Sequence, residues 1–167
     1  MNKKIERNYL EINSLNDLNE LREYPNEFFL ELVEPENFQI NKFFYKNVGK
    51  KHNWVDRLVW TDKNWIKYTT DNKVKTFIIK KKNDLAGYFE LIFHKEPNEV
   101  EIAYLGLLEE YQNKKIGSFL LSSAIKKAFR ENPNRVWVHT CSLDHKNALK
   151  NYMARGMKIY KKETIYV

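Results

Sequence analysis

The chain has 167 residues, 43% of them hydrophobic and 14% aromatic, with one cysteine and a formal charge of +7 at neutral pH. That length and apolar content suffice to bury a core, exclude a disordered polypeptide and predict one domain over residues 1–167. The lone Cys141 excludes an internal disulfide, the basic start Met1–Asn8 has no apolar run behind it, and no stretch approaches the ~20 apolar residues of a membrane span, so a cytoplasmic protein with no membrane partner is expected.

The first apolar–polar segment, Tyr9–Ile12, predicts an edge or first strand. Asn13-Ser14 then offers caps for a helical turn around Leu15, Leu18 and Leu21. Phe28–Val33, bounded by Pro25 and Pro35, reads as a second strand. Phe38, Ile40, Phe43 and Phe44 recur at helical spacing within Glu36–Val48, and Gly49 ends that helix. Thr61-Asp62-Lys63 caps another helix carrying Trp65, Ile66 and Tyr68. Between the two helices lies an aromatic segment, Lys50–Trp60.

Val74–Lys81 and Leu85–His94 predict a hairpin turning at Lys82-Asn83-Asp84, and Pro97-Asn98 leads into the next strand. Asn132-Pro133-Asn134 breaks the chain before a strand over Arg135–Thr140. Asp144 is the expected N-cap of a helix over His145–Arg155, with Gly156 as its C′ residue. Met157–Lys161 and Thr164–Val167 predict the last strands. Strands meet in hairpins before residue 107 and through helices after it. That pattern implies a mixed α/β sheet rather than a doubly wound one.

The stretch from Glu99 to Ala128 dominates the reading. Val100, Ile102 and Tyr104 alternate with Glu101 and Ala103, and Leu105–Leu108 is continuously apolar, as in a strand buried on both faces at one end. After a turn over Gln112–Ser118, Ile116, Phe119, Leu120, Ala124 and Ala128 recur at helical spacing. A helix opening directly after a strand aims its free N–H groups and positive dipole end at the turn, which makes a phosphate site.

Gln112-x-x-Lys115-Ile116-Gly117 resembles the Gln/Arg-x-x-Gly-x-Gly/Ala turn of the GCN5-related N-acetyltransferase (GNAT) family. The resemblance continues in Val136-Trp137-Val138-His139-Thr140, Asp144-His145, and Asn147-Ala148-Leu149-x-x-Tyr152-x-x-x-Gly156-Met157, and its motifs span residues 99–157. It implies the GNAT fold, a mostly antiparallel mixed sheet flanked by helices. It also implies an N-acetyltransferase that moves the acetyl group of acetyl-CoA to a primary amine by direct attack, with coenzyme A held by Leu107, Gln112, Asn113, Lys114, Lys115, Ile116, Gly117, Ser118 and Asn147. Lys115 departs from the family, standing where its first glycine usually does. Lysine accepts positive φ poorly, so the turn either avoids φ > 0 there or gives up affinity.

Such chemistry needs an oriented amine, a proton acceptor and a proton donor for the leaving thiolate. Tyr152, four residues before Gly156, matches the family tyrosine facing the sulfur; its plainer reading is a core tyrosine on an amphipathic helix. Glu101 is the first candidate base, its pKa raised by a half-buried strand, and a salt bridge to a lysine explains it equally well. His139 is the second. In the family the segment between its first strand and its second closes over the acceptor, so Trp54, Asp56, Arg57 and Trp60 are candidates for that wall, with helix–sheet packing as the alternative. Cys141 reads as a buried, inert thiol, and the four histidines show no metal-ligand spacing, so no metal is expected. Two other functions stay open: a non-catalytic CoA-binding protein of the same fold, and, less favoured, a nucleic-acid module resting on the net charge, against which count the scarcity of arginine and basic runs no longer than Lys80–Lys82. The acceptor, a small-molecule or peptide amine, is not legible, nor is the oligomeric state, a homodimer included.

Overall fold

The computed structural model describes residues 2–21, 24–112 and 115–167. Seven strands form one sheet: β1 (Lys4–Ile12), β2 (Phe28–Leu32), β3 (Val74–Lys81), β4 (Asp84–His94), β5 (Glu99–Leu107), β6 (Arg135–Cys141) and β7 (Lys158–Tyr166). Four α-helices accompany them: α1 (Phe38–Gly49), α2 (Asp62–Thr69), α3 (Ile116–Phe129) and α4 (Ala148–Ala154). The spatial order is β2-β3-β4-β5-β6-β1-β7, and every neighbouring pair is antiparallel except β5 and β6. This is the mixed sheet expected from the pattern of hairpins followed by helical links.

The apolar run of β3 is explained by burial on both faces. Phe77 and Ile79 join a core with α3, whereas Ile78 packs with Phe44 and Val48 of α1. On the α3 side, Ile116, Leu120, Leu121, Ala124, Ile125 and Ala128 are all fully buried against the strands. Each large side chain removed from water in this way contributes about 1.5–3 kcal/mol. Helix α2 begins as its sequence predicts: the Thr61 and Asn64 side chains each accept a hydrogen bond from the other's backbone N–H, at 3.3 and 2.9 Å, in a reciprocal cap.

Three expectations are corrected. The first strand is longer than Tyr9–Ile12 and is no edge: β1 lies between β6 and β7, bonded to both. The segment after Gly156 is one strand with a bulge at Tyr160, because β1 offers a continuous partner from Lys4 to Glu11. Asp144 does not cap α4. Its carboxylate accepts from Thr140 Oγ1 at 2.5 Å and from the Cys141 N–H at 2.9 Å, so it closes the turn after β6, and Asn147 becomes the cap residue of a helix starting at Ala148. Gly156 does follow α4 as its C′ residue, with φ +104°. A Cβ there would also sit 2.1 Å from the Asp17 carbonyl oxygen.

Candidate active site

Strands β5 and β6 are paired only at Glu99–Glu101 with Arg135–Trp137. Beyond those three residues they part, and a cavity of about 600 Å³ opens between them. One wall is the free edge of β5 from Ile102 to Leu107; the opposite wall includes Val138, His139 and Cys141 of β6. The β5 edge keeps unpaired backbone groups facing the cavity, a place where an extended ligand can pair as an added strand. A bulge at Ala103, left unmatched between Glu90–Tyr104 and Leu91–Ile102, turns Tyr104 toward α1.

The start of α3 opens on the same cavity through Lys115, Gly117 and Ser118. Lys115 is the cap residue, with φ +61° and ψ 4°, and among the described residues no side chain caps the first turn. Its amides therefore keep their donors for a ligand. Gly117 leaves open space, since a Cβ there would meet no other atom closer than 3.9 Å. Asn151, which the sequence reading missed, fastens α4 to this turn: its Nδ2 donates to the Gly117 carbonyl at 3.2 Å and its Oδ1 accepts from Ser118 Oγ at 3.1 Å. Gln112 Nε2 donates to the Leu107 carbonyl at 3.4 Å. Asn113 and Lys114 lie outside the described residues.

Tyr152 lines the cavity from α4 and is 8% exposed. Burial, reinforced by the charge of Asp144, pushes its phenol well above the ordinary tyrosine range, so it stays protonated. His139 is exposed on β6, and partial desolvation of its ring and the charge of Arg7 hold it below the usual imidazole value, with Glu101 pulling the other way. Glu101 is not among the residues lining the cavity; its Oε1 lies 3.0 Å from His94 Nε2. Burial raises the Cys141 thiol, which makes it a poor nucleophile.

The aromatic segment between α1 and α2 divides. Trp54, Val55 and Asp56 line the cavity, with Trp54 against Tyr104 at 4.7 Å between ring centroids. Arg57 turns inward instead and binds Glu90 Oε2 at 3.0 Å, while its guanidinium lies 4.7 Å from the Trp60 ring. Trp60 packs on Trp65 and Tyr68 and does not line the cavity. Arg57 and Trp60 thus pack inside the fold, while Trp54 and Asp56 line the cavity. Nothing local in the sequence separated the two pairs.

The family model for the acetyltransferase (GNAT) family matches residues 19–157. The chain belongs to this family. No curated protein matches its sequence. Among solved structures, this GNAT protein is similar to a GCN5-related N-acetyltransferase from Sphaerobacter thermophilus, at 13% identity and TM-score 0.74, over 99% of this chain and 52% of that one. It is also similar to a spermidine N-acetyltransferase from Vibrio cholerae in complex with CoA and spermine, at 16% identity and TM-score 0.65, over 86% and 96% of the two chains. An aminoglycoside acetyltransferase from an uncultured soil metagenomic sample follows at 14% identity and TM-score 0.66, over 80% and 90%. At these identities the likeness is one of fold. This GNAT chain spans 52–61% of the length of three of the structures it matches. No helix among the described residues is long and apolar enough to cross a membrane.

Proposed function

We propose that this GNAT protein is an N-acetyltransferase that moves the acetyl group of acetyl-CoA to a primary amine, with both substrates held at once in the split between β5 and β6. The observation that carries this is the uncapped first turn of α3 opening on the same cavity as the buried, protonated Tyr152. When bound, acetyl-CoA supplies an activated acyl group on a thiol leaving group whose pKa is about 8.5. The amides of Ile116, Gly117 and Ser118 hold its diphosphate, with Lys115 adding charge, and the Leu107 edge and Asn147 take the pantetheine arm. Asn113 and Lys114 belong to the same turn in sequence. Gln112 holds the Leu107 carbonyl in place.

Tyr152 donates the proton that the departing thiolate needs, which its raised pKa allows at any ordinary pH. His139 accepts the proton of the amine. Glu101, engaged by His94, acts behind it through its charge rather than by taking the proton itself. Trp54, Tyr104 and Asp56 form the acceptor side, where an aromatic wall and a carboxylate suit a cationic small-molecule or peptide amine. The Vibrio cholerae structure holds one such amine, spermine.

The test is thiol release from acetyl-CoA across a panel of polyamines, aminoglycosides, amino acids and peptides, followed against pH in the parent protein and in Tyr152→Phe. The rate should rise through a midpoint below 6.5 as His139 loses its proton, then stay level into the alkaline range. Tyr152→Phe should lower kcat by about a hundredfold, within the range for positioned acid catalysis, while the KM for acetyl-CoA holds. Failure of every amine to release thiol would sink the enzyme reading. An unchanged kcat would remove Tyr152 from the chemistry.

A further inference from the structure

Three charged side chains of the described residues are buried: Arg57, Glu90 and Arg155. Arg57 and Glu90 neutralise one another. Among the described residues Arg155 has no such counterpart. It is 7% exposed, and its Nε and Nη1 find no hydrogen-bond partner among the described residues. A guanidinium taken out of water without a partner is costly, and proteins keep such a group where something arrives to pair with it. Arg155 also lines the cavity between β5 and β6, beside Ala154 and on the wall that carries Lys150.

Its position says which anion arrives. Asn151 bonds the first turn of α3 through Gly117 and Ser118, and Arg155 lies four residues further along, its N–H donating to the Asn151 carbonyl at 3.0 Å. Four residues of helix are about 6 Å, so Arg155 starts one turn beyond the amides assigned to the diphosphate. Coenzyme A carries a second, separate anionic centre, the monophosphate on the 3′ oxygen of its ribose. We infer that Arg155 is the counter-ion for this 3′-phosphate, its planar fork of donors matching the phosphate oxygens. This rests on the proposed use of acetyl-CoA. The arginine is poised rather than paired, and it makes the protein prefer the 3′-phosphorylated cofactor over its dephosphorylated form.

The test is calorimetric titration of the parent protein, Arg155→Met and Arg155→Lys with CoA and with 3′-dephospho-CoA, plus thermal unfolding of each protein without ligand. Methionine keeps the buried stem and removes the charge. Arg155→Met should bind CoA about 10- to 100-fold more weakly, with dephospho-CoA affinity held within about twofold, and Arg155→Lys should fall between. Without ligand, Arg155→Met should unfold at a higher temperature than the parent, because an unpaired buried charge has gone. Equal weakening toward both cofactors would overturn the inference by placing Arg155 on the diphosphate or in the fold. So would a variant that loses affinity for neither. If the parent protein binds neither cofactor, the cofactor reading itself fails, at a step that no variant enters.

Discussion

At position 115 the backbone turns left-handed at a lysine, with φ +61°. For a residue with a Cβ that conformation costs roughly 1–2 kcal/mol, and glycine escapes it. The sequence flagged this residue because Lys115 stands at a glycine position of the family turn, and the structure shows the turn adopting positive φ regardless. Lys115→Gly should therefore raise stability by about 1 kcal/mol, or 2–4 °C in melting temperature for a chain of this size, as read by scanning calorimetry. The same variant removes an ammonium from the cavity wall, so CoA affinity should fall even as the fold gains. A lower melting temperature would mean that the Lys115 side chain makes contacts worth more than the strain. Tyr152 is singled out in the sequence by its likeness to the family tyrosine four residues before Gly156. Arg155, in the same motif, is not, because burial without a partner is a property of packing that one sequence does not display.

At the scale of elements, the segment joining α1 to α2 shows why sequence alone left wall and packing open for its residues. In sequence Arg57 is a candidate for the acceptor wall, and its neighbours along the chain do not name its partner. Its partner Glu90 is 33 residues away on β4, and the carboxylate also accepts from Asn41 Nδ2 at 2.9 Å and from the Tyr68 hydroxyl at 2.6 Å. The guanidinium lies 4.1 Å from the Tyr68 ring centroid and 4.4 Å from that of Tyr104. Burial works to lower the pKa of Arg57, yet the charge of Glu90 together with Tyr68 and Tyr104 offsets it and holds the arginine above its ordinary value. The pair anchors the segment that brings Trp54 and Asp56 to the cavity. Arg57→Met should leave Glu90 charged and buried, costing about 3–5 kcal/mol in urea unfolding at neutral pH. Adding Glu90→Gln should return part of that loss, a coupling that only neighbours show. A single-variant cost below about 1 kcal/mol would mean that the aromatic packing alone holds the segment.

Across the whole molecule, the main surprise is where β1 sits. Leu10 and Ile12 alternate with polar residues, and that pattern says only that one face is buried. It cannot tell an edge strand from an interior one, because the partners that decide it, Val136–Cys141 and Lys158–Tyr166, lie more than a hundred residues away. The separation of β5 from β6 is likewise absent from the residue pattern of either strand, because it depends on where the pairing of Glu99–Glu101 with Arg135–Trp137 stops. Since β7 reaches the sheet only through β1, the N-terminal strand holds the last strand to the rest. Leu10 is fully buried at that junction, whereas Phe29 on the outer strand β2 is 63% exposed. Leu10→Ala should therefore cost about 2–5 kcal/mol, and Phe29→Ala no more than about 0.5 kcal/mol, compared by urea unfolding with equal m-values. Equal losses at the two positions would mean that β1 behaves as an edge after all. A large loss confined to Leu10 would show that the strand arriving first in the chain closes the sheet from within.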